Sequence, residues 1–335
     1  MNVVLVSIGN FQPYILDNIR NLIRLKHQNI YVIINANFRD HFAEFEPSVF
    51  VGSGVGMVAT ATSASSPVKL VYVENLSDSF HFYERTQLDK TFNGGFWVMT
   101  SLRIFYIYAF MEKYHMENVI HIENDVVLYY NCDTLIERVE RTKIYIPFNS
   151  FNINVISIVY VPKAELLRPL LMNWDMRMLD MNVFAIFKRM MPDLVDIFPI
   201  FKEQPEFAGD DVKRMVCYNF DRFGVVFDGN AMGQYLGGID PQNIGGSTRS
   251  TVGFVNADCC IKYDRYAFVW KEMPTVGGGE DGGDGGENVD DGKGERTVDM
   301  MKKPFLCVGG DEIPIFNLHI HSKNLAKFVG GAGFP

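Results

Sequence analysis

The sequence predicts a single α/β domain built on a mixed, mostly parallel sheet flanked by helices. Three observations at the start of the chain predict it. NVVLVSIGN is a strand-length apolar run, QPYILDNIRNLIRLKH follows with apolar residues at helical spacing, and IYVIINAN returns as a second apolar run. Strand, helix and strand in that order form a βαβ unit, which pairs its strands in parallel. With 335 residues, 47% of them hydrophobic, the chain can bury one substantial core.

The remaining elements follow in order. VGSGVGMVATATSASSP, 51 to 67, is rich in small residues and is expected to be a mobile loop before the strand VKLVYVE. GSGVG is no phosphate loop, because no clear strand precedes it and no clear helix follows. TSLRIFYIYAFMEKYHM reads as a helix with an aromatic face, leading through Glu117 and Asn118 into the strand VIHIEND. INVISIVYVP is another strand, and a Met-rich helical region spans about Leu166 to Met191, its methionines serving the core. VGGGEDGGDGGENVDDGKGER, 276 to 296, has almost no apolar residues and lacks the DxDxDG spacing of a calcium loop. A solvated, disordered insertion is expected there. Apolar sequence resumes at KKPFLCVGGDEIPIFNLHIHSKNL, so the insertion interrupts one domain of 1 to 335.

Composition narrows the function classes. A net charge of −9 argues against a general nucleic-acid binder, which needs a basic face to neutralise phosphates. No stretch approaches the roughly 18 to 20 apolar residues of a membrane span, and MNVVLVSIGN lacks the basic start of a signal peptide. Five cysteines without a CxxC pair suit reduced thiols, so a cytoplasmic location is expected.

The chemistry concentrates in a few places. In HIENDVVLYYN, Glu123 and Asp125 alternate to one side of an extended backbone, at the carboxyl end of a strand, where open α/β sheets bind ligands. Two such acids repel unless a divalent cation sits between them, and Mg²⁺ or Mn²⁺ takes one or two carboxylates together with substrate phosphates. The plain alternative is an acidic turn in water. In FNLHIHSKNL, a strand would put Asn317, His319 and His321 on one face, with Lys323 beyond. A histidine joining the acids would tilt the metal towards Mn²⁺, and Lys323 could hold a phosphate oxygen. In VVFDGNAMGQYLGGIDPQN, glycines space Asp228, Gln234 and Asp240, so the stretch frames a small polar substrate or is a Gly-rich turn. Arg103 is the lone cation of the aromatic helix, about twenty residues before the acids, and could aim its guanidinium at a phosphate.

Together these residues resemble a glycosyltransferase of the GT-A fold, the nucleotide-sugar-dependent class with a Rossmann-like domain and a DxD metal motif. LRIFY ahead of VIHIENDVVLYY, then FNINVISIVYV, then a late histidine with a lysine, is similar to the order in glycogenin-like members. The resemblance implies Glu123 and Asp125 as the metal-binding acids and His319 or His321 as the third ligand. It also implies Ile8, Arg103, Asn124 and Lys323 around the donor. Two departures stand out: the first acid is glutamate rather than aspartate, and HIHSK brings histidine and lysine closer than the glycogenin-like spacing.

The expected activity is transfer of a sugar from a nucleoside diphosphate, with UDP as the default carrier, to a hydroxyl acceptor such as a glycan. Asp228 or Asp240 would serve an inverting enzyme as base, and Gln234 would stand near the anomeric carbon of a retaining one. One rival is a nucleotidyltransferase making nucleotide sugars, but SIGNFQPY lacks the basic, Gly-rich signature of that class. The other is a non-catalytic nucleotide- or carbohydrate-binding module with structural acids.

Overall fold

The computed structural model describes residues 1–52, 66–204, 210–240, 259–275 and 299–329. Its strands are β1 (Asn2–Ser7), β2 (Ile30–Ile34), β3 (Ser48–Val49), β4 (Val68–Tyr72), β5 (Val119–Ile122), β6 (Val126–Leu128), β7 (Ile144–Pro147), β8 (Ile158–Val161), β9 (Val195–Phe198), β10 (Ala267–Pro274), β11 (Met300–Val308), β12 (Asp311–Pro314) and β13 (Asn317–His319). The helices are α1 (Tyr14–Arg24), α2 (Phe82–Arg85), α3 (Phe96–Tyr114), α4 (Ala164–Met172), α5 (Asp180–Met190), α6 (Asp210–Cys217), α7 (Phe220–Phe223), α8 (Ala231–Gly237) and α9 (Ala326–Val329).

Eight strands make one sheet in the order β3-β4-β2-β1-β5-β8-β7-β9. Among them β8 runs against its neighbours β5 and β7, while the other pairings are parallel. This is the mixed, mostly parallel sheet with flanking helices that the sequence predicts. Its central strand shows why the opening run is continuously apolar. Val3 and Leu5 pack with Ile15, Ile19 and Leu22 of α1 on one face. Val4 and Val6 pack with Leu102 and Phe105 of α3 on the other, so both faces of β1 are covered. Each such side chain taken fully out of water contributes roughly 1.5–3 kcal/mol.

Two features of topology place the site. The strand order reverses at β1, with β2 on one side and β5 on the other, and a crevice opens at such a switch point beyond the carboxyl ends. The β1–β5 ladder runs from Asn2↔Val119 to Val4↔His121. Above it, side chains take over, with His121 Nδ1 3.0 Å from the Val4 carbonyl and Asn124 Nδ2 donating to the Val6 carbonyl at 2.8 Å. The second feature is a short antiparallel pairing of β13 with β6, in the register Asn317↔Leu128 to His319↔Val126. It continues in a bond from Ile320 N–H to the Asp125 carbonyl at 2.8 Å.

Some expectations are narrowed. INVISIVYVP is strand only over Ile158–Val161, because the residues before it are held by side chains: Asn149 Oδ1 accepts from Val155 N–H and Asn154 Oδ1 from Asn149 N–H. The Met-rich stretch is two helices, broken where Asp175 accepts the Arg177 N–H and forms a turn. A separate antiparallel sheet, β10-β11-β12, was not foreseen. The loop expected at 51 to 67 and the insertion at 276 to 296 fall almost wholly outside the described residues.

His27, just beyond α1, offers a test of the core. It is 2% exposed, its Nε2 has no partner, and burial pushes its imidazole down from 6.5 to about 4. The unfolded chain takes this proton near 6.5 and the folded chain only near 4. Stability is therefore full above the first value and falls as pH drops between the two, by an amount on the order of 3 kcal/mol. Urea unfolding of His27→Leu between pH 7 and 4 should show a correspondingly shallower acid loss than wild type; parallel profiles would contradict this reading.

Candidate active site and metal centre

A cavity of about 330 Å³ opens at the carboxyl ends of β1 and β5, within the size range of small-molecule sites. Glu123, Asp125, His319, Gln234, Lys323 and Arg103 line it. The two acids do not sit on a straight strand. β5 ends at Ile122, and they occupy the turn into β6, closed by Val126 N–H to the Glu123 carbonyl at 3.0 Å. Their side chains still converge: Nε2 of His319 lies 3.1 Å from Glu123 Oε2 and 3.2 Å from Asp125 Oδ2.

Among the described residues, Glu123, Asp125 and His319 form the group whose ligand atoms all lie within 4.8 Å of one another. His321, the alternative third ligand, is outside that group. Its ring lies against that of His319, centroids 4.2 Å apart. The tautomer of His319 follows from its other nitrogen. Nδ1 is 2.8 Å from the Gly229 carbonyl, which can only accept, so Nδ1 carries the hydrogen and Nε2 turns towards the acids.

The donor set fits a divalent cation. Glu123 Oε2 is buried, and although Nε2 of His319 is in ionic contact, no hydrogen bond is made to that oxygen. Two carboxylate oxygens and one imidazole nitrogen suit Mn²⁺ better than Mg²⁺. Without an ion, a proton on His319 holds the acids together: burial disfavours the charged ring, yet Asp125 and Glu123 outweigh it and raise the pKa to about 9.

Charge around the acids is balanced by two cations. Burial would raise both carboxyl pKa values. Arg103 and His319 bring Glu123 below its ordinary range, and Lys323 and His319 bring Asp125 well below its own. Lys323 pairs directly with Asp125 from a left-handed backbone position, φ 60°, with its ammonium 5.6 Å from the Tyr14 ring centre. Arg103 is buried, with one terminal nitrogen on Glu123 and the other on Asp180 at 2.9 Å. The phosphate contact expected of its guanidinium is thus replaced by two carboxylates.

The Gly-rich stretch divides into a brace and a wall. Asp228 does not line the cavity. Its Oδ1 accepts the N–H groups of Ala231 and Met232 at 2.9 and 3.0 Å, and its Oδ2 accepts those of Gly233 and His319 at 2.8 and 3.0 Å. A carboxylate holding four backbone donors is committed to fixing the α8 entry and the His319 backbone, which leaves no lone pair for the base role offered by the sequence. Asn317 adds to this clasp, its Nδ2 donating to the Asp228 carbonyl at 2.9 Å. A Cβ on Gly233 would lie 2.0 Å from the His319 carbonyl oxygen, and one on Gly229 2.5 Å from Asn149 Nδ2, so both glycines serve close approach. Gln234 and Asp240 do line the cavity, Gln234 with its Nε2 3.3 Å from either ring nitrogen of His321.

Ile8, just past β1, is a half-buried part of the wall, and Asn124 donates to the Val6 carbonyl and to Gln12 Oε1, both at 2.8 Å. Sequence reasoning missed two residues here. Asp180 opens α5 and joins Arg103; its only signal is a lone acid at a helix start. His121, on β5, lines the floor.

No family model and no curated protein matches the chain. Among solved structures, it is similar to an active-site mutant of LgtC, with a TM-score of 0.41 and 10% identity over 65% of this chain and 83% of that one. It is also similar to mouse xyloside xylosyltransferase 1, apo form (TM-score 0.38, 9% identity, 64% and 93% covered). A third is a cytidylyltransferase from Leptospira borgpetersenii (TM-score 0.32, 10% identity, 59% and 75% covered).

The brace makes a prediction that needs no substrate. Mn²⁺ should raise the melting temperature of the wild-type protein, since a ligand at a hundred times its Kd stabilises by about 2.7 kcal/mol. Gly233→Ala carries no ligand atom, yet it displaces the His319 backbone and should lose most of that rise in thermal unfolding with and without Mn²⁺. An undiminished rise would contradict the brace.

Proposed function

We propose that the chain is a metal-dependent glycosyltransferase of the GT-A type, moving a sugar from a nucleoside-diphosphate sugar, with UDP as carrier, to a hydroxyl acceptor such as a glycan. The observation that carries this reading is the convergence of Glu123, Asp125 and His319 Nε2 on the floor of a switch-point cavity. Glu123, Asp125 and His319 would hold Mn²⁺, or Mg²⁺ less well, and the bound ion would offset charge growing on the leaving diphosphate.

The chain's own residues do the rest. Lys323, next to the acids and mounted at a tight turn, stands where it can exchange Asp125 for a β-phosphate oxygen and stabilise it as a point charge. Arg103, locked by Glu123 and Asp180, orients Glu123 rather than reaching the phosphates. Ile8 and Asn124 line the donor's path from the β1 side. For the acceptor step, Asp240 on the cavity wall is the remaining candidate base of an inverting enzyme, with Asp228 committed elsewhere; Gln234 is the polar group for a retaining one. A nucleotidyltransferase reading finds less support, because residues 7 to 13, SIGNFQP, carry no cation. Among the described residues no helix is long and apolar enough to cross a membrane. The five cysteines form no disulfide and no CxxC pair, which suits reduced thiols, and we propose a cytoplasmic location on that ground.

Asp125→Ala tests the reading. Removing an acid that secures a metal worth several kcal/mol at the transition state should lower turnover of a UDP-sugar with Mn²⁺ roughly a thousandfold, with the circular dichroism spectrum unchanged. Wild-type turnover in that variant would sink the metal-dependent mechanism. The product's anomeric configuration by NMR assigns the second step: retention implicates Gln234, and inversion implicates Asp240.

A further inference from the structure

The floor of the cavity holds a hydrogen-bond acceptor with nothing to accept from. His121 is 1% exposed, in the last residue pair of the β1–β5 ladder, and lines the cavity two residues before Glu123. Its Nδ1 lies 3.0 Å from the Val4 carbonyl. A carbonyl can only accept, so Nδ1 bears the hydrogen and Nε2 is left as a bare lone pair. Nε2 is buried and has no partner. Leaving such an acceptor unmatched is unfavourable, and a bound donor of a hydrogen bond would recover that cost.

The chemistry of that donor is constrained. A phosphate or carboxylate oxygen offers no hydrogen, so the anionic part of a ligand does not satisfy Nε2. Arg103, in the same cavity, has both terminal nitrogens on carboxylates but leaves its Nε–H buried without an acceptor. A hydroxyl can donate to a lone pair and accept from an N–H at once through a single oxygen, and it is the polar group that every sugar carries.

We propose that His121 is a specificity-determining residue that reads a hydroxyl of the bound donor, taking its O–H at Nε2. This rests on the nucleotide-sugar reading above and deepens it. The hydroxyl belongs either to the ribose or to the sugar being transferred. The shared chemistry is an O–H presented to the β5 side of the floor, and ligand choice separates the sources.

The experiment is calorimetric binding to the full chain with Mg²⁺, using UDP against 2′-deoxy-UDP for the ribose arm. UDP-glucose against UDP-2-deoxyglucose and UDP-galactose serves the hexose arm. In one arm the wild-type protein should prefer the hydroxylated ligand by roughly tenfold or more. His121→Phe, which keeps the ring and loses both nitrogens, should reduce that preference to near unity, and His121→Gln, which keeps an acceptor, should restore part of it. A second readout uses only wild-type protein: with ¹⁵N-labelled histidine, the His121 Nε2 resonance should move upfield with the preferred ligand and stay in place with its deoxy or epimeric partner. Equal preferences in wild type and His121→Phe, or an Nε2 resonance unmoved by every ligand that binds, would overturn the proposal while leaving the donor reading intact. Failure of the wild-type protein to bind any of these nucleotides would overturn both.

Discussion

Two carboxylates held in one buried turn repel each other, and most of the site is organised around that repulsion. With ligand oxygens within 4.8 Å of one another and an effective dielectric of about 20, it is worth roughly 3–4 kcal/mol, a large part of a domain's net stability. Arg103 and Lys323 take one acid each, and His319 bridges both. Remove any one and an uncompensated buried charge remains, which is the expensive case for ions taken out of water. Such an arrangement is explained poorly by stability alone, since apolar side chains of similar volume would fill the space without the repulsion. It is explained well by a cation that enters and leaves.

The backbone device that makes it possible is the pairing of β13 with β6. It joins residues nearly two hundred positions apart and fixes His319 beside Asp125 through main-chain bonds rather than side-chain contact alone. Asp228 then fastens the opposite edge of β13, so His319 is held from two directions. Precision at the centre therefore comes from elements that never touch a ligand: a carboxylate saturated by backbone donors and two glycines that let chains approach. In return, the cavity wall keeps unsatisfied acceptors at His121, Asn124 and Gln234, which a hydroxyl-rich substrate would meet.

The legibility of this molecule in its sequence follows from how local each signal is. The βαβ start was readable because β1 and β2 are buried on both faces and so are apolar throughout. The paired acids were readable because they lie one residue apart after an apolar run, although a turn rather than a strand brings them together. The choice between His319 and His321 was not readable, since it depends on the β13–β6 register, a long-range fact. Asp228 misled for a related reason: an acid among glycines looks like a catalytic loop until its four backbone donors are seen. Asp180 and His121 were missed because each is a single polar residue in an apolar stretch, meaningful only through Arg103 and Val4 across the fold. Strands β7 and β9 and the β10–β12 sheet were missed as well, being short runs or separated by the low-complexity segment.

The acids and His319 are proposed to form one cation site. The most direct measurement is anomalous diffraction from crystals grown with Mn²⁺. A manganese peak is expected between Glu123, Asp125 and Nε2 of His319, with Lys323 moved away from Asp125. A manganese-free centre, with the lysine and the protonated histidine still closing on the acids at saturating Mn²⁺, would contradict it.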